Sequence, residues 1–189
     1  MNENNEAVVT KEKKSDFVTN CFDIVSILAT AIVAVAIAFI FMFRTVGVNG
    51  NSMRPTLNNA DRIILTASYS EPANGDIVVT CQPCDEPIPD VLVKRVIATE
   101  GQKVNIDFLK GIVYVDGVAL DEPYVAEPTY EREDFTGEVT VPDGHVFVMG
   151  DNRNHSTDSR DNRVGFIREE YVLGKVLFRI APFGQFKIG

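Results

Sequence analysis

The sequence predicts a mainly β fold: an antiparallel β-sheet domain preceded by one N-terminal transmembrane helix. An uncharged, predominantly apolar run of 20 residues lies near the N-terminus, and beyond it the apolar residues come in short runs rich in Val and Ile. Pro, Gly, Asn and Asp separate those runs, which is the pattern of antiparallel strands joined by turns. The chain of 189 residues leaves room for the helix and one further domain of roughly 140 residues, enough to bury a core of its own.

Taken in order, residues 1–23 are polar and read as an unstructured cytoplasmic tail, with Lys11, Lys13 and Lys14 placing that end inside. Residues 24–43, IVSILATAIVAVAIAFIFMF, are apolar on every face. Twenty helical residues at about 1.5 Å each span roughly 30 Å, the hydrocarbon thickness of a bilayer. A cleaved export signal has a shorter apolar run of about 7–15 residues, and no small-x-small site precedes Arg44, so a retained anchor is expected. Arg44, at the far end, is able to snorkel to an interface on either side. Residues 44–189 then form the extracytoplasmic domain. Its expected strands are RIILTA, DIVVTC, DVLVKRVIAT, GIVYVDG, EVTV, HVFVMG and VLGKVLFRI. YVDGVAL carries the Asp-Gly pair of a tight hairpin, and VPDGHVFV a Pro-Asp-Gly turn between two strands. The acidic stretch 121–136, with Pro123 and Pro128, is expected to loop over the surface.

Charge excludes one class of partner. Residues 45–189 hold 14 Lys and Arg against 22 Asp and Glu, a net charge of −8, so the domain repels phosphate backbones and nucleic acid is not the partner. Cys81 and Cys84 form CQPC. Outside the cytoplasm a disulfide persists, but a two-residue spacing strains the bridge, and the choice between a bridge and free thiols stays open. Two cysteines make a poor zinc site, and no helix start follows them to activate a redox pair. Cys21 reads as packing at the edge of the anchor. No metal or cofactor is expected.

Three stretches carry possible chemistry. In NGNSMRPTL, residues 49–57, the turn formers Asn49, Gly50, Asn51 and Pro55 hold the Ser52 hydroxyl on an exposed bend. An isolated serine in such a bend is ordinarily just a turn, so Ser52 needs a partner. In VLVKRVI, side chains alternate, so Lys94 shares a face with Leu92 and Val96 while Arg95 shares the other with Val93 and Ile97. One of the two cations must therefore lie among apolar residues. A lysine held there has its charged form destabilised, and the neutral amine is able to take a proton from a serine; the ordinary alternative is a lysine snorkelling from a sheet edge. Arg95 stays protonated and is no base. The third stretch is GDNRNHSTDSRDNR, residues 150–163, whose donors and acceptors suit a shell holding a lysine and a serine in register, with Asp158 and Arg160 paired. It lacks the glycine and terminal glutamate of an EF-hand calcium loop. A Ser-His-Asp set of Ser52, His155 and Asp158 is a formal alternative; His145 is the only other histidine, and His155 beside Ser156 reads more simply as facing solvent.

Together these stretches resemble the type I signal peptidases, membrane-anchored Ser-Lys endopeptidases that remove signal peptides from exported proteins. NGNSMRPTL is similar to the family's nucleophile motif, KRVIATEG to its lysine motif and GDNRNHSTDSR to its third signature, in the same order after an N-terminal span. The likeness runs from the anchor to the end of the chain, and the short outer domain resembles the compact Gram-positive type. By this resemblance Ser52 is the nucleophile, Lys94 the general base, Ser156 the hydroxyl that orients the amine, and Asp158 and Arg160 a supporting ion pair. Met53 lies beside the substrate site. Gly150, Asp151, Asn152, Arg153 and Ser159 match the third signature identically. Two positions depart from the family pattern. Asn154 stands where aspartate is common, and Gly50 where some relatives have a serine that donates to the oxyanion, leaving that task to the Ser52 N–H and water.

The implied reaction is acyl transfer from an extended substrate paired with a strand edge. By resemblance its pockets accept alanine-sized residues one and three positions before the cut. Val46 and Val48 before Ser52, with Leu92 and Val93 before Lys94, are the expected walls. The implied partners are secretory preproteins and the lipid bilayer, in the plasma membrane. A self-cleaving Ser-Lys repressor peptidase is soluble and carries a DNA-binding region, which an anchored acidic chain contradicts. An inactive anchored β module that binds exported peptides is the rival from another class.

Overall fold

The computed structural model describes residues 3–66, 69, 71–81 and 91–182, with side chains from Asn20 onward. It has two units, Met1–Met42 and Phe43–Gly189. The first is a single helix, α1 (Glu3–Met42). Its segment Asn20–Met42, 23 residues of mean hydropathy 2.9, is long and apolar enough to cross a membrane. Phe22, Ile32, Ile40 and Phe41 are exposed on it, as suits apolar surroundings. The helix starts at Glu3 and not at the apolar run, so the reading of an unstructured tail is corrected through that stretch. Ala, Glu and Lys favour helix there, and extending a helix already nucleated is far cheaper than starting one.

The second unit is built of antiparallel strands: β1 (Phe43–Gly47), β2 (Arg62–Thr66), β3 (Ile77–Cys81), β4 (Val91–Thr99), β5 (Lys103–Asp107), β6 (Ile112–Val115), β7 (Val118–Ala119), β8 (Val139–Thr140), β9 (His145–Met149), β10 (Ile167–Arg168) and β11 (Val172–Ala181). Seven of them form one sheet in the order β1-β2-β11-β3-β4-β9-β10, and four a second, β7-β6-β5-β8. Each strand read from the sequence is present. Arg44, however, lies exposed in β1 and not at a helix end, because the strand begins directly at Phe43.

Turn chemistry explains the connections. Asp116 and Gly117 both have positive φ, 51° and 78°, the conformation that lets β6 turn straight back into β7. The Pro142-Asp143-Gly144 turn links β8 of the small sheet to β9 of the large one, so it joins two sheets and closes no hairpin. Apolar faces of both sheets meet in one core, with Ile97, Ala98, Phe147 and Met149 from the large sheet against Val104, Ile106, Val113 and Val115 from the small. A second core of Val48, Met53, Leu57, Ile63, Leu65, Ile77, Val79 and Val176 lies under the segment between β1 and β2. Cys81 ends β3 half-buried, while Cys84 lies outside the described residues, and with it the question of a bridge.

Candidate active site

The segment between β1 and β2 returns on itself. Val48 N–H donates to the Asp61 carbonyl at 2.8 Å and Ala60 N–H to the Val48 carbonyl at 2.9 Å, closing its base. Met53 and Leu57, both fully buried, anchor it in the second core, each stabilising it by about 2 kcal/mol through burial. Gly50 has φ +102°, a conformation that side-chain-bearing residues rarely adopt and glycine takes at little cost. Ser52 thus stands on a bend whose flanks are fixed.

On β4 the two adjacent cations are both buried, Lys94 at 3 % exposed and Arg95 at 2 %, where the sequence required only one to be. Alternation separates their environments. Arg95 donates to Asp151 Oδ1 from Nε at 2.8 Å and to Oδ2 from Nη2 at 2.7 Å, reaches the Gly75 carbonyl, and lies 3.8 Å over the Tyr124 ring. A bidentate carboxylate and an aromatic face suit a permanently charged guanidinium. Lys94 makes no ion pair among the described residues. Its Nζ donates to Ser156 Oγ at 3.0 Å, and Ser156 Oγ donates to Asp158 Oδ2 at 2.8 Å.

Burial dominates the proton affinity of Lys94, pushing its amine down from 10.5 to about 8, while Asp158 and Glu133 pull the other way. Asp158 is itself fully buried. Burial raises its carboxyl, but bonds from Arg160 Nε at 2.8 Å and Nη2 at 2.9 Å and from the Gly150 N–H at 3.0 Å hold it below the usual carboxylate range. The proton of Ser156 is committed to Asp158, so its oxygen accepts from the Lys94 amine. In the neutral amine that arrangement leaves the nitrogen lone pair available to another hydroxyl.

Ser52 and Lys94 line one cavity of about 290 Å³ with Val46, Gly47, Val48, Asn49, Met53, Val91, Leu92 and Val93. The residues expected as pocket walls are therefore brought together with the serine and the lysine.

The loop after β9 holds these parts in register. Asn152 N–H donates to the Ser52 carbonyl at 2.9 Å and its Nδ2 to the Asn51 carbonyl at 3.1 Å. Thr56 Oγ1 donates to Asp151 Oδ2 at 2.5 Å, so one carboxylate ties the serine bend to Arg95 of β4. A Cβ at Gly150 would stand 2.5 Å from the Ser52 carbonyl oxygen and closer still to the Ser156 hydroxyl; glycine is what lets these segments touch. His155 is exposed and Asp158 is committed to Ser156, Gly150 and Arg160, which leaves no assembled Ser-His-Asp set.

Sequence reasoning gave no role to Arg153, Glu122, Tyr124 or Glu133. Arg153, wholly buried, donates to both Glu122 oxygens at 2.6 and 2.8 Å and to Thr129 Oγ1 at 3.1 Å, binding the acidic loop to the loop after β9. Asn154 accepts from the Tyr130 and Glu131 N–H groups and donates to the Pro128 carbonyl. An amide makes this three-way contact, with one donor and two acceptances, where an aspartate has no N–H to offer. The excess of acidic and aromatic residues in 121–136 was the available signal.

A family model described as signal peptidase, peptidase S26, matches residues 21–181. The chain is 36 % identical over 166 residues to a probable signal peptidase I-1 of Synechocystis sp., a match covering 84 % of this chain and 81 % of the relative. It is 35 % identical over 191 residues to a signal peptidase I of Bacillus licheniformis, covering 95 % and 98 %. A crystal structure of a signal peptidase I from Enterococcus faecalis is 30 % identical, with a TM-score of 0.44 over 57 % of this chain and 98 % of that one.

Proposed function

Since the chain belongs to the signal peptidase family, peptidase S26, whose activity is of the serine type, we propose that it removes N-terminal signal peptides from exported preproteins with Ser52 as nucleophile and Lys94 as general base. The observation that carries this reading is the buried Lys94 amine, whose hold on its proton burial weakens from 10.5 to about 8, in the same cavity as Ser52. The neutral amine takes the Ser52 proton, and the Ser52 oxygen attacks the scissile carbonyl. Lys94 then protonates the departing amine and activates the water that hydrolyses the acyl-enzyme. Ser156, Asp158 and Arg160 orient the amine. The Ser52 N–H, unused by other bonds among the described residues, donates to the oxyanion.

Two open strand edges flank the cavity. β1 is the outermost strand of its sheet, and β9 joins β4 only from Arg95 onward, leaving one side of Val91–Lys94 unpaired among the described strands. An extended substrate has backbone partners there. Val46, Val48, Met53, Leu92 and Val93 give apolar walls suited to small side chains before the cut, hence cleavage after small-x-small sites. α1 anchors residues 44–189 as the outer domain of a single-pass protein, with the tail of residues 1–23 cytoplasmic by its lysines.

The test is incubation of the detergent-solubilised full chain with a secretory precursor, the cut mapped by mass spectrometry, alongside labelling with a serine-directed acylating inhibitor. A single cut after a small-x-small site and label on Ser52 are expected. An uncut precursor and unlabelled Ser52 in folded protein would leave the peptide-binding module.

Two further outcomes follow from the geometry. Because the active form carries neutral Lys94, kcat/KM should rise with pH through about 8; a rise only near the free-lysine value would contradict a desolvated base. Gly150→Ala forces the Ser52 and Ser156 segments apart. It should cost about 1–3 kcal/mol in urea unfolding and lower kcat/KM on the order of 100-fold. Unchanged cleavage would mean that this close approach does not set the serine's position.

A further inference from the structure

Glu133 combines two unfavourable features that the reaction as described does not use. Its backbone has φ +50°, uncommon for a residue with a side chain, and its Oε2 is buried with no hydrogen-bond partner among the described residues. Outliers of this kind gather where a site over-determines its surroundings. The turn bearing Glu133 is pinned on both sides to one residue: Arg160 Nη1 donates to the Glu131 carbonyl at 2.7 Å, and the Asp134 N–H donates to the Arg160 carbonyl at 3.2 Å. Phe135, next in the chain, is buried in the core between the sheets. The backbone on both sides of Glu133 is therefore fixed against Arg160, and its carboxyl is turned in far enough for Oε2 to be shielded from water.

Three carboxylates act on the Lys94 amine: Asp158, Glu133 and Asp151. Two have their charge matched locally, Asp158 by Arg160 and Asp151 by Arg95. Glu133 makes no ion pair among the described residues, so its charge, second to that of Asp158 in its pull on the amine, is the one no neighbouring guanidinium pairs with directly. It faces Lys94 from β4 and Asp158, Arg160, Asp161 and Arg163 from the loop after β9.

Resting on Lys94 as general base, we propose that Glu133 is a positioning residue for the reaction: its carboxyl, folded in from the acidic loop, sets the charge facing the Lys94 amine and so how firmly that amine holds its proton. Burial first, and then Asp158, push Glu133 up to about 7, against Arg160 and Lys94, so its charge develops in the pH range in which the amine loses its proton. Burial alone would make Lys94 a weak base; an ionised Glu133 restores basicity where it is needed.

The experiment is the pH profile of kcat/KM for the full chain in detergent, for the parent, Glu133→Gln, Glu133→Ala and Glu131→Gln, with Lys94→Met alongside. Both Glu133 variants should move the rising limb to lower pH by about half a unit or more. Glu131→Gln removes an equal charge two residues away but exposed to water, and should leave the limb in place. Glu133→Ala also removes the unpartnered oxygen, so it keeps the test valid if the glutamine variant does not fold. A purely structural Glu133 would lower the melting temperature or the plateau rate without moving the limb, which would overturn the proposal, as would an equal shift in Glu131→Gln. Cleavage surviving in Lys94→Met would instead remove the reading on which it rests.

Discussion

Lys94→Arg is expected to fold, to keep a cation on β4 and to cleave no precursor. A guanidinium does not give up its proton near neutral pH, so charge survives while the base is lost, and general-base catalysis is worth about 10² to 10⁴ in rate. Lys94→Met separates lost basicity from misfit, because its side chain has nearly the same length and no charge. It should be equally inactive and yet more stable than the parent. The folded amine, at about 8, lies below its ordinary 10.5, so the unfolded chain binds that proton more tightly. Stability should therefore be lowest below pH 8 and climb until about 10.5, by on the order of 3 kcal/mol, and Lys94→Met should lack that climb. Urea unfolding at several pH values reads the effect. Cleavage by Lys94→Arg within tenfold of the parent would show that Lys94 is not the base.

That Ser52 and Lys94, which line one cavity, both merited notice was legible because each stretch carries a local conflict. A serine among turn formers cannot continue a strand, and two adjacent cations cannot both leave an apolar strand by alternation. What alternation could not show is that both would be buried: the partner of Arg95, Asp151, lies 56 positions away and its ring partner Tyr124 in an acidic loop. Strands rich in Val and Ile were readable from composition, but β5 was not. Lys103, Asn105 and Asp107 hide the buried Val104 and Ile106 from propensity, although not from a period of two. Gly150 illustrates a similar limit. Its φ is ordinary, and only the three-dimensional approach of Ser52 and Ser156 requires that it have no side chain. The helical reach of α1 to Glu3 was missed because polar composition was weighed without the strong helix that follows it.

Asp158→Ala is the substitution expected to cost most stability. Both members of the Asp158–Arg160 pair are wholly shielded from water, so removing the carboxylate strands a buried guanidinium, and such a break costs about 3–5 kcal/mol. It also takes the acceptor from Ser156 and the Gly150 N–H, so the amine of Lys94 loses its orientation along with the fold its stability. Since Asp158 is held below the usual carboxylate range, its contribution is present above that range and lost as the pH falls into acid; the parent should weaken there more than the variant. Replacing the pair together, in Asp158→Ala with Arg160→Met, removes the stranded charge and should recover part of the lost stability, as whole buried pairs are often replaceable by apolar residues. Cleavage should not return with it, because Ser156 still has no carboxylate to fix its hydroxyl. A double variant that regains both stability and cleavage would reduce the pair to scaffolding; regaining only the first would make it the element that aims the lysine at the serine.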